Sequence, residues 1–199
     1  MPIARRSKLK RRLPAMLVTG IGGMVAAAVS FATAVYEAAN PAPVELVKKD
    51  EPIDTGRWLV TINNASMAAV PPTGTKPVDA KRFLTVDLEL DNRSAATSNA
   101  FMRLISIEML PSIKLPEPVY YLARDKWIAS AINPGMPEKV IAVWEWPEGS
   151  PSPKALRFSV AKQIYKPRDN LYGAPGWFED GKAAIVEMAV SGQPDEAVQ

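Results

Sequence analysis

The sequence contains no cysteine and no histidine among its 199 residues. Without cysteine the chain cannot form disulfides, a thiolate nucleophile or the lipid-modified residue of a lipoprotein. Without histidine it lacks the commonest general base and a frequent ligand of zinc, copper and haem. These absences exclude catalytic triads and most transition-metal sites. A chain without cysteine fits either side of a bacterial membrane, so the redox compartment stays open.

Acidic residues are absent from the first twelve positions, which hold six of the 24 basic residues. After that stretch, 18 basic residues stand against 21 acidic ones, so the remainder of the chain has a net charge of −3. The excess positive charge therefore belongs to residues 1–12, which we expect to form a basic cytoplasmic stub. It gives no reason to expect nucleic acid as a partner of the folded part.

Charged residues are also absent from Leu13 to Tyr36, a run of 24 positions. As a helix this run would be about 36 Å long, enough to cross about 30 Å of hydrocarbon. Tyr36 falls where an interfacial aromatic residue would lie, and the basic stub should stay in the cytoplasm. The sequence therefore predicts a single-pass protein of the cell membrane. Its transmembrane helix covers residues 13–36, and residues 37–199 are extracytoplasmic.

A cleaved signal peptide is the alternative interpretation of this run. Ala32-Thr33-Ala34 supplies the small-residue tripeptide of a cleavage site. The apolar stretch before it is long for a signal peptide, so we favour an uncleaved signal anchor.

Small residues follow one face of the predicted helix. At about 100° per residue they form a narrow stripe, with larger side chains such as Leu17 and Ile21 opposite. Small residues let a second helix approach closely, so the stripe is a candidate partner-binding surface. An alanine-rich anchor without a partner would show the same pattern. The stripe consists of Thr19, Gly23, Ala27, Ser30 and Ala34.

The remainder of the chain is predicted to be all-β. The 19 prolines argue against a helical bundle, because each breaks a helix interior. Apolar and polar residues alternate from Leu84 to Asp91, and shorter alternations lie at Trp58–Asn63, Val140–Trp146 and Leu156–Val160. Further strands are predicted at 101–109, 119–122, 127–132 and 184–190. Seven or eight short strands between Pro/Gly turns predict a β-sandwich at residues 56–190. An extended linker at 37–55 would precede it, and a flexible tail at 191–199 would follow.

Three segments of this region resemble a known domain family. They are VDLELDNRS, with its Asn-x-Ser turn, then NPGMPEKVIAVWEWPEG and KALRFSV. Their succession over residues 56–162 is similar to the immunoglobulin-like domain of unknown function found in many bacterial envelope proteins and lipoproteins. The resemblance implies an immunoglobulin-like sandwich and a non-catalytic binding role. It implies no particular functional residue.

The segment 166–181 is the most conspicuous candidate site. It is predicted to be a long loop between two strands, and loops at the end of a sandwich often bind partners. Its aromatic side chains suit a protein contact or a sugar ring. The opposing interpretation is that the aromatic residues cover the core while the charged ones face solvent. The candidate residues are Arg168, Asp169, Tyr172, Trp177 and Phe178.

No other pattern predicts chemistry. The acidic residues at 169–180 lack the alternating spacing of a calcium loop, and Trp144 and Trp146 are expected in the core. No motif singles out a carboxylate pair for glycoside hydrolysis. We therefore expect no catalytic residue, no metal and no cofactor.

These patterns favour a non-catalytic accessory protein that associates with a larger membrane protein complex. The alternative is a surface module that binds a ligand such as cell-wall glycan through the segment 166–181.

Overall fold

The computed structural model describes residues 12–40, 43–78, 81–108, 115–171 and 173–192, without the side chains of 12–23 and 37–38. The chain divides into two units, residues 1–43 and residues 44–199. Residues 1–11 of the predicted stub and 193–199 of the predicted tail lie outside this description.

The first unit contains the predicted helix. Helix α1 extends over Arg12–Ala39, a length of 28 residues. The residue after the helix is Asn40, whose main-chain and side-chain amides both donate to the carbonyl oxygen of Tyr36, at 2.8 and 2.9 Å. Every side chain from Met24 to Tyr36 is exposed. In the described part of the chain, no helix meets both the length and the hydropathy that a membrane span requires.

The second unit is a β-sandwich. Its described residues form β1 (Glu45–Val47), β2 (Pro52–Asp54), β3 (Trp58–Ala68), β4 (Arg82–Asn92), β5 (Ile105–Ile107), β6 (Val119–Leu122), β7 (Glu138–Trp146), β8 (Ala155–Lys166) and β9 (Gly176–Ala189). One sheet has the order β2-β3-β4-β7-β6, and the other has the order β1-β9-β8-β5. Their pairs are antiparallel, except that β1 is parallel to β9. The predicted sandwich is therefore confirmed.

Alternating side chains from both sheets form one core. On β4 the buried set is Leu84, Val86, Leu88 and Leu90, as the period-two pattern predicts. Trp144 and Trp146 of β7 are also buried, which confirms their expected place in the core. Each such side chain contributes about 1.5–3 kcal/mol through burial, so the sheets are held together chiefly by the hydrophobic effect.

A bulge in β3 changes which positions face the core. Val60 and Ile62 are buried, and the register against β4 then shifts between Ile62 and Asn64. Beyond the shift, Ala65 and Met67 are the buried residues. The inserted residue therefore keeps apolar side chains inward on both sides of the irregularity.

The predicted turn at 92–94 is built around a buried asparagine. The Asn92 amide nitrogen donates to the carbonyl oxygens of Ala96 and Ile132, both at 2.9 Å. Its side-chain oxygen accepts from the Ser94 main-chain nitrogen at 3.0 Å. Because its hydrogen-bonding groups are paired, Asn92 is accommodated in the interior at little cost.

Several segments differ from the prediction. The expected linker at 37–55 contains the end of α1 and the strands β1 and β2, and Ile53 is buried in the core. Strands β1 and β2 are short and lie among charged residues and prolines, so their sequence shows no sustained alternation of apolar and polar residues. For this reason the sequence predicts a linker there. The segment that separates α1 from β1 is thus residues 40–44.

Two predicted strands are also shorter or absent. Phe101 lies in a 3-10 turn at Ala100–Arg103, so β5 begins only at Ile105, and the predicted strand residue Met109 lies outside the described residues. The segment 127–132 forms isolated bridges rather than a named strand. This segment follows the tight turn after β6, and Ile128 forms an antiparallel bridge with Tyr121 at the edge of the sheet.

Candidate functional site

Strands β8 and β9 continue past the core as a two-stranded extension. We call this extension, 161–166 with 176–182, the ribbon. Within the described chain, β5 pairs only with 158–160 of β8, and β1 pairs only with 184–186 of β9. Register shifts at Val160/Ala161 and Ala161/Gln163 separate the ribbon from the core part of the hairpin. In the described chain, β1 and β5 therefore do not continue the sheet beside the ribbon.

The ribbon corrects the predicted loop at 166–181. Trp177 and Phe178 lie on β9, opposite Tyr165 and Ile164 of β8, so only 167–175 form the connection. Sequence reasoning missed this extension because β8 loses its apolar alternation after Val160, where the bulges begin.

Trp177 is the centre of the site. Its side chain is half-buried, and its ring lies 5.5 Å from the ring of Tyr165, which is 54% exposed. The guanidinium carbon of Arg57 lies 5.7 Å from the Trp177 ring centroid, within the range of a cation–π contact. Neither earlier interpretation is complete, because Trp177 both packs on the sandwich and faces solvent.

The turn before β3 holds this arrangement in place. Gly56 has a φ of +89°, and a β-carbon there would lie 2.2 Å from the carbonyl oxygen of Gln163. The Gln163 main-chain nitrogen donates to the carbonyl oxygen of Thr55 at 2.7 Å. The turn of one sheet thus packs on the ribbon of the other, and only glycine permits the approach.

Arg57 belongs to the site although the sequence gives little sign of it. Its Nη2 donates to Ser98 Oγ at 2.8 Å, whereas its Nε is buried without a hydrogen-bond partner among the described residues. Burial lowers the pKa of the guanidinium from its ordinary value. Arg57 is 120 positions from Trp177 in sequence, so their contact follows only from the fold; the glycine before Arg57 was the one local signal.

A groove with a volume of about 1120 Å³ runs beside the ribbon. The groove is lined by Arg57, Trp144, residues of the segments 99–107 and 115–118, and the ribbon residues Ala161, Gln163, Trp177, Phe178 and Glu179. Its lining mixes apolar side chains with charges of both signs, including Arg103 and Glu179. Such a surface suits a ligand with an apolar body and a few polar groups.

The opposite face of the ribbon carries Phe178. The Nζ of Lys166 lies 5.0 Å from the Phe178 ring centroid, and Lys162 forms an ion pair with Asp180 at 3.3 Å. Phe178 is half-buried rather than fully inside the core. Both faces of the ribbon therefore present aromatic and charged groups together.

The remaining candidates lie in the connection. Arg168 is exposed, and Tyr172 is outside the described residues. Asp169 Oδ1 accepts from the Leu171 main-chain nitrogen at 2.8 Å, which closes a turn. Among the residues with described positions, no three acidic side chains are grouped to hold a metal ion. The structure thus brings Trp177 and Phe178 to the ribbon and leaves Arg168 and Asp169 at its tip.

A second cavity of about 760 Å³ lies on the outer face of the four-stranded sheet. There Ser106 Oγ and Ser159 Oγ are 2.8 Å apart, and Glu108 pairs with Lys182 and, at 3.8 Å, with Arg157. The carboxylate is satisfied by cations, and the serines bond each other. The arrangement is that of a structural polar network, which the alternation of the strands alone does not reveal.

Comparisons with known proteins give a fold neighbour and no family. No family model matches the chain, and no curated protein matches it. Among solved structures, the chain is similar to an uncharacterized β-sandwich protein from Clostridium difficile 630. The sequences are 16% identical, the TM-score is 0.48, and the match covers 73% of this chain and 95% of the other.

Proposed function

We propose that this protein is a non-catalytic accessory protein of the bacterial cell envelope, anchored by α1 and binding a membrane protein partner through the groove beside the ribbon. The sandwich would be of the immunoglobulin-like kind, as the succession from VDLELDNRS to KALRFSV implies. The observation that carries the proposal is Trp177, half-exposed between Arg57 and Tyr165 at the edge of an open groove.

The anchoring part rests on the sequence around α1. The 24 uncharged positions from Leu13 to Tyr36 are long enough for a span, and six basic residues precede them. The apolar side chains described in α1, such as Phe31 and Val35, are exposed, which is costly in water over so long a surface. A lipid environment would remove that cost.

The binding part rests on the chemistry of the groove. Trp and Arg are enriched among the residues that contribute most to protein interfaces. Trp177 is half-buried, and its neighbours Gly56 and Arg57 restrict the motion of its ring. A side chain already ordered before binding loses little conformational entropy when a partner arrives.

The test is affinity purification of the full chain from membranes in mild detergent, followed by mass spectrometry. Wild type should retain a stoichiometric membrane protein, and Trp177→Ala should lose it while the sandwich stays folded. Because Trp177 is half-buried, its removal should cost less than the roughly 3–5 kcal/mol typical of a fully buried large aromatic. The matched control is Trp127→Ala, an exposed tryptophan outside the groove. Retention by Trp177→Ala, or equal loss in both variants, would contradict the proposal.

The helix stripe can be tested in the same purification. Gly23→Leu with Ala27→Leu would hold a second helix away, whereas Leu17→Ala with Ile21→Ala changes the opposite face. We expect the stripe variant to lose the partner and the control to keep it. Equal retention by both would limit α1 to anchoring.

The alternative function is binding of a cell-wall glycan by the same aromatic residues. The exposed ring of Tyr165 beside Trp177 favours it, since two adjacent aromatic rings can stack on a sugar. Retention of the purified protein on wall polymer, lost in Trp177→Ala and unaccompanied by a protein partner, would select this alternative.

A further inference from the structure

A second exposed tryptophan lies outside the groove, in the turn that follows β6. Trp127 is 76% exposed and its neighbour Ile128 is 64% exposed. Two adjacent large apolar side chains at this exposure have no role in the core, and Trp127 makes no ring contact with the described residues.

The backbone of this turn is well ordered. The Leu122 nitrogen donates to the carbonyl oxygen of Trp127 at 2.7 Å, and the Lys126 nitrogen donates to that of Leu122 at 2.9 Å. Asp125 Oδ1 accepts from the Trp127 nitrogen at 3.0 Å. Lys126 has a φ of +62°, a conformation that costs a side-chain-bearing residue some strain. The turn therefore displays Trp127 in a fixed position rather than on a loose loop.

Charges around the turn are largely paired. Arg124 contacts Glu138 and, at 3.4 Å, Asp125. Lys126 forms no ion pair with any described residue, and its Nζ donates to the carbonyl oxygen of Ala123 at 2.8 Å. The turn thus combines an indole, an aliphatic side chain and one ammonium group beside them.

The topology places the turn at the end of the sandwich where the chain enters. Leu122 pairs with Val140, so the turn lies where β7 begins, and Gly56 joins that end of the sheet to the ribbon. Since β1 is parallel to β9, with Glu45 opposite Ala184, the chain reaches β1 from the ribbon side. Residues 40–44 can extend about 17 Å at most, at about 3.3 Å per residue. An anchor ahead of β1 would therefore be tethered to this end of the sandwich.

We infer that Trp127 and Ile128 contact the lipid surface, with Lys126 directed to the headgroup phosphates; this inference rests on the proposed anchoring. Tryptophan partitions to the headgroup level of a bilayer, where its ring is shielded and its N–H stays hydrated. Isoleucine adds apolar area to the acyl boundary, and lysine extends its ammonium group toward the phosphates. Lipid suits this site better than a protein partner, because the two side chains lie on a turn and not in the groove.

The test uses the five tryptophans as probes. The full chain is reconstituted into vesicles of equal parts phosphatidylcholine and phosphatidylglycerol, with or without bromine on the phosphatidylcholine acyl chains. Bromine quenches an indole only at close range, and Trp58, Trp144 and Trp146 are buried in the core. Wild type should be quenched, Trp127→Phe should lose most of the quenching, and the matched control Trp177→Phe should keep it.

Every other pattern overturns the inference. Quenching that persists in Trp127→Phe, or none in wild type, would show that the turn does not reach lipid. Loss of a co-purifying protein in Trp127→Phe without quenching would assign the turn to a protein contact. Anchoring by α1 is measured separately, as resistance of the protein to alkaline extraction from the vesicles. A protein that is not anchored can thus be distinguished from an anchored protein whose Trp127 does not contact lipid.

Discussion

The two halves of the β8–β9 hairpin share one ladder and differ in almost every other respect. In the inner half, Leu156 and Phe158 on β8 face the core together with Val186 and Met188 on β9, and all four are buried. In the outer half, the ribbon, Tyr165 and Trp177 are opposite each other and partly exposed. The change occurs at the register shifts that follow Val160.

The difference shows how one hairpin can support a fold and display a surface. Burial of apolar area stabilises the inner half, and its sequence alternates as a one-sided strand requires. The ribbon lies beyond the part of the hairpin that β1 and β5 flank, and a few contacts hold it. Among them are the approach of the Gly56 turn to Gln163 and the hydrogen bond from the Ala161 nitrogen to the Leu104 carbonyl oxygen at 2.8 Å. We therefore expect substitutions in the two halves to act on different properties, stability in the first and binding in the second.

The largest effect should come from Phe158→Ala in the inner half. Phe158 is fully buried, so its truncation should lower the free energy of unfolding by about 3–5 kcal/mol. The matched substitution in the ribbon, Tyr165→Ala, should cost about 1 kcal/mol or less, because that side chain is largely exposed. Chemical denaturation of both variants measures the difference. Similar losses would show that the ribbon is part of the core and would remove the contrast.

An intermediate effect is expected at Gly56. Gly56→Ala places a β-carbon 2.2 Å from the Gln163 carbonyl oxygen and also strains a positive φ. The control is Gly74→Ala, where φ is +77° but no atom lies within 4 Å of the added carbon. The control should lose about 1 kcal/mol from φ alone, and Gly56→Ala clearly more. In Gly56→Ala, the midpoint temperature of thermal unfolding and the retention of the partner should both decrease. An equal loss of stability in Gly56→Ala and Gly74→Ala would mean that the Gly56 turn does not hold the ribbon in place.

Local periodicity predicted the central strands well. The alternation at 84–91 and 140–146 reflects one buried face, and those residues form β4 and β7. The short strands were missed for a physical reason: β1 and β2 span three residues each, too few for a period to show. Local periodicity does not predict the edge strands of each sheet, because their pairing depends on strands that are distant in sequence.

The candidate site was predicted only in part. Trp177 and Phe178 stood out because aromatic residues among charges and glycines are conspicuous in a sequence. Their contacts did not, because Arg57 reaches Trp177 only through the packing of one sheet on the other, where the Gly56 turn approaches Gln163. The register shifts after Val160 interrupt the alternation of apolar residues, so the sequence shows no strand pattern in the ribbon. The groove beside the ribbon is therefore evident only from the three-dimensional structure.

The smallest effect is expected for the ion pair on the ribbon, Lys162 with Asp180. The charged atoms are 3.3 Å apart, but about half of each side chain is exposed, at 49% and 46%. Water screens such pairs, and ordering two long side chains offsets much of the attraction, so Lys162→Ala should change the free energy of unfolding by about 0.5 kcal/mol or less. Asp180→Ala should lower the free energy of unfolding by a similarly small amount. Added salt should not increase the loss in either variant. A loss above about 1 kcal/mol would exceed the usual value of a surface pair. It would indicate that charge pairing, and not the Gly56 turn alone, keeps the outer half of the hairpin ordered.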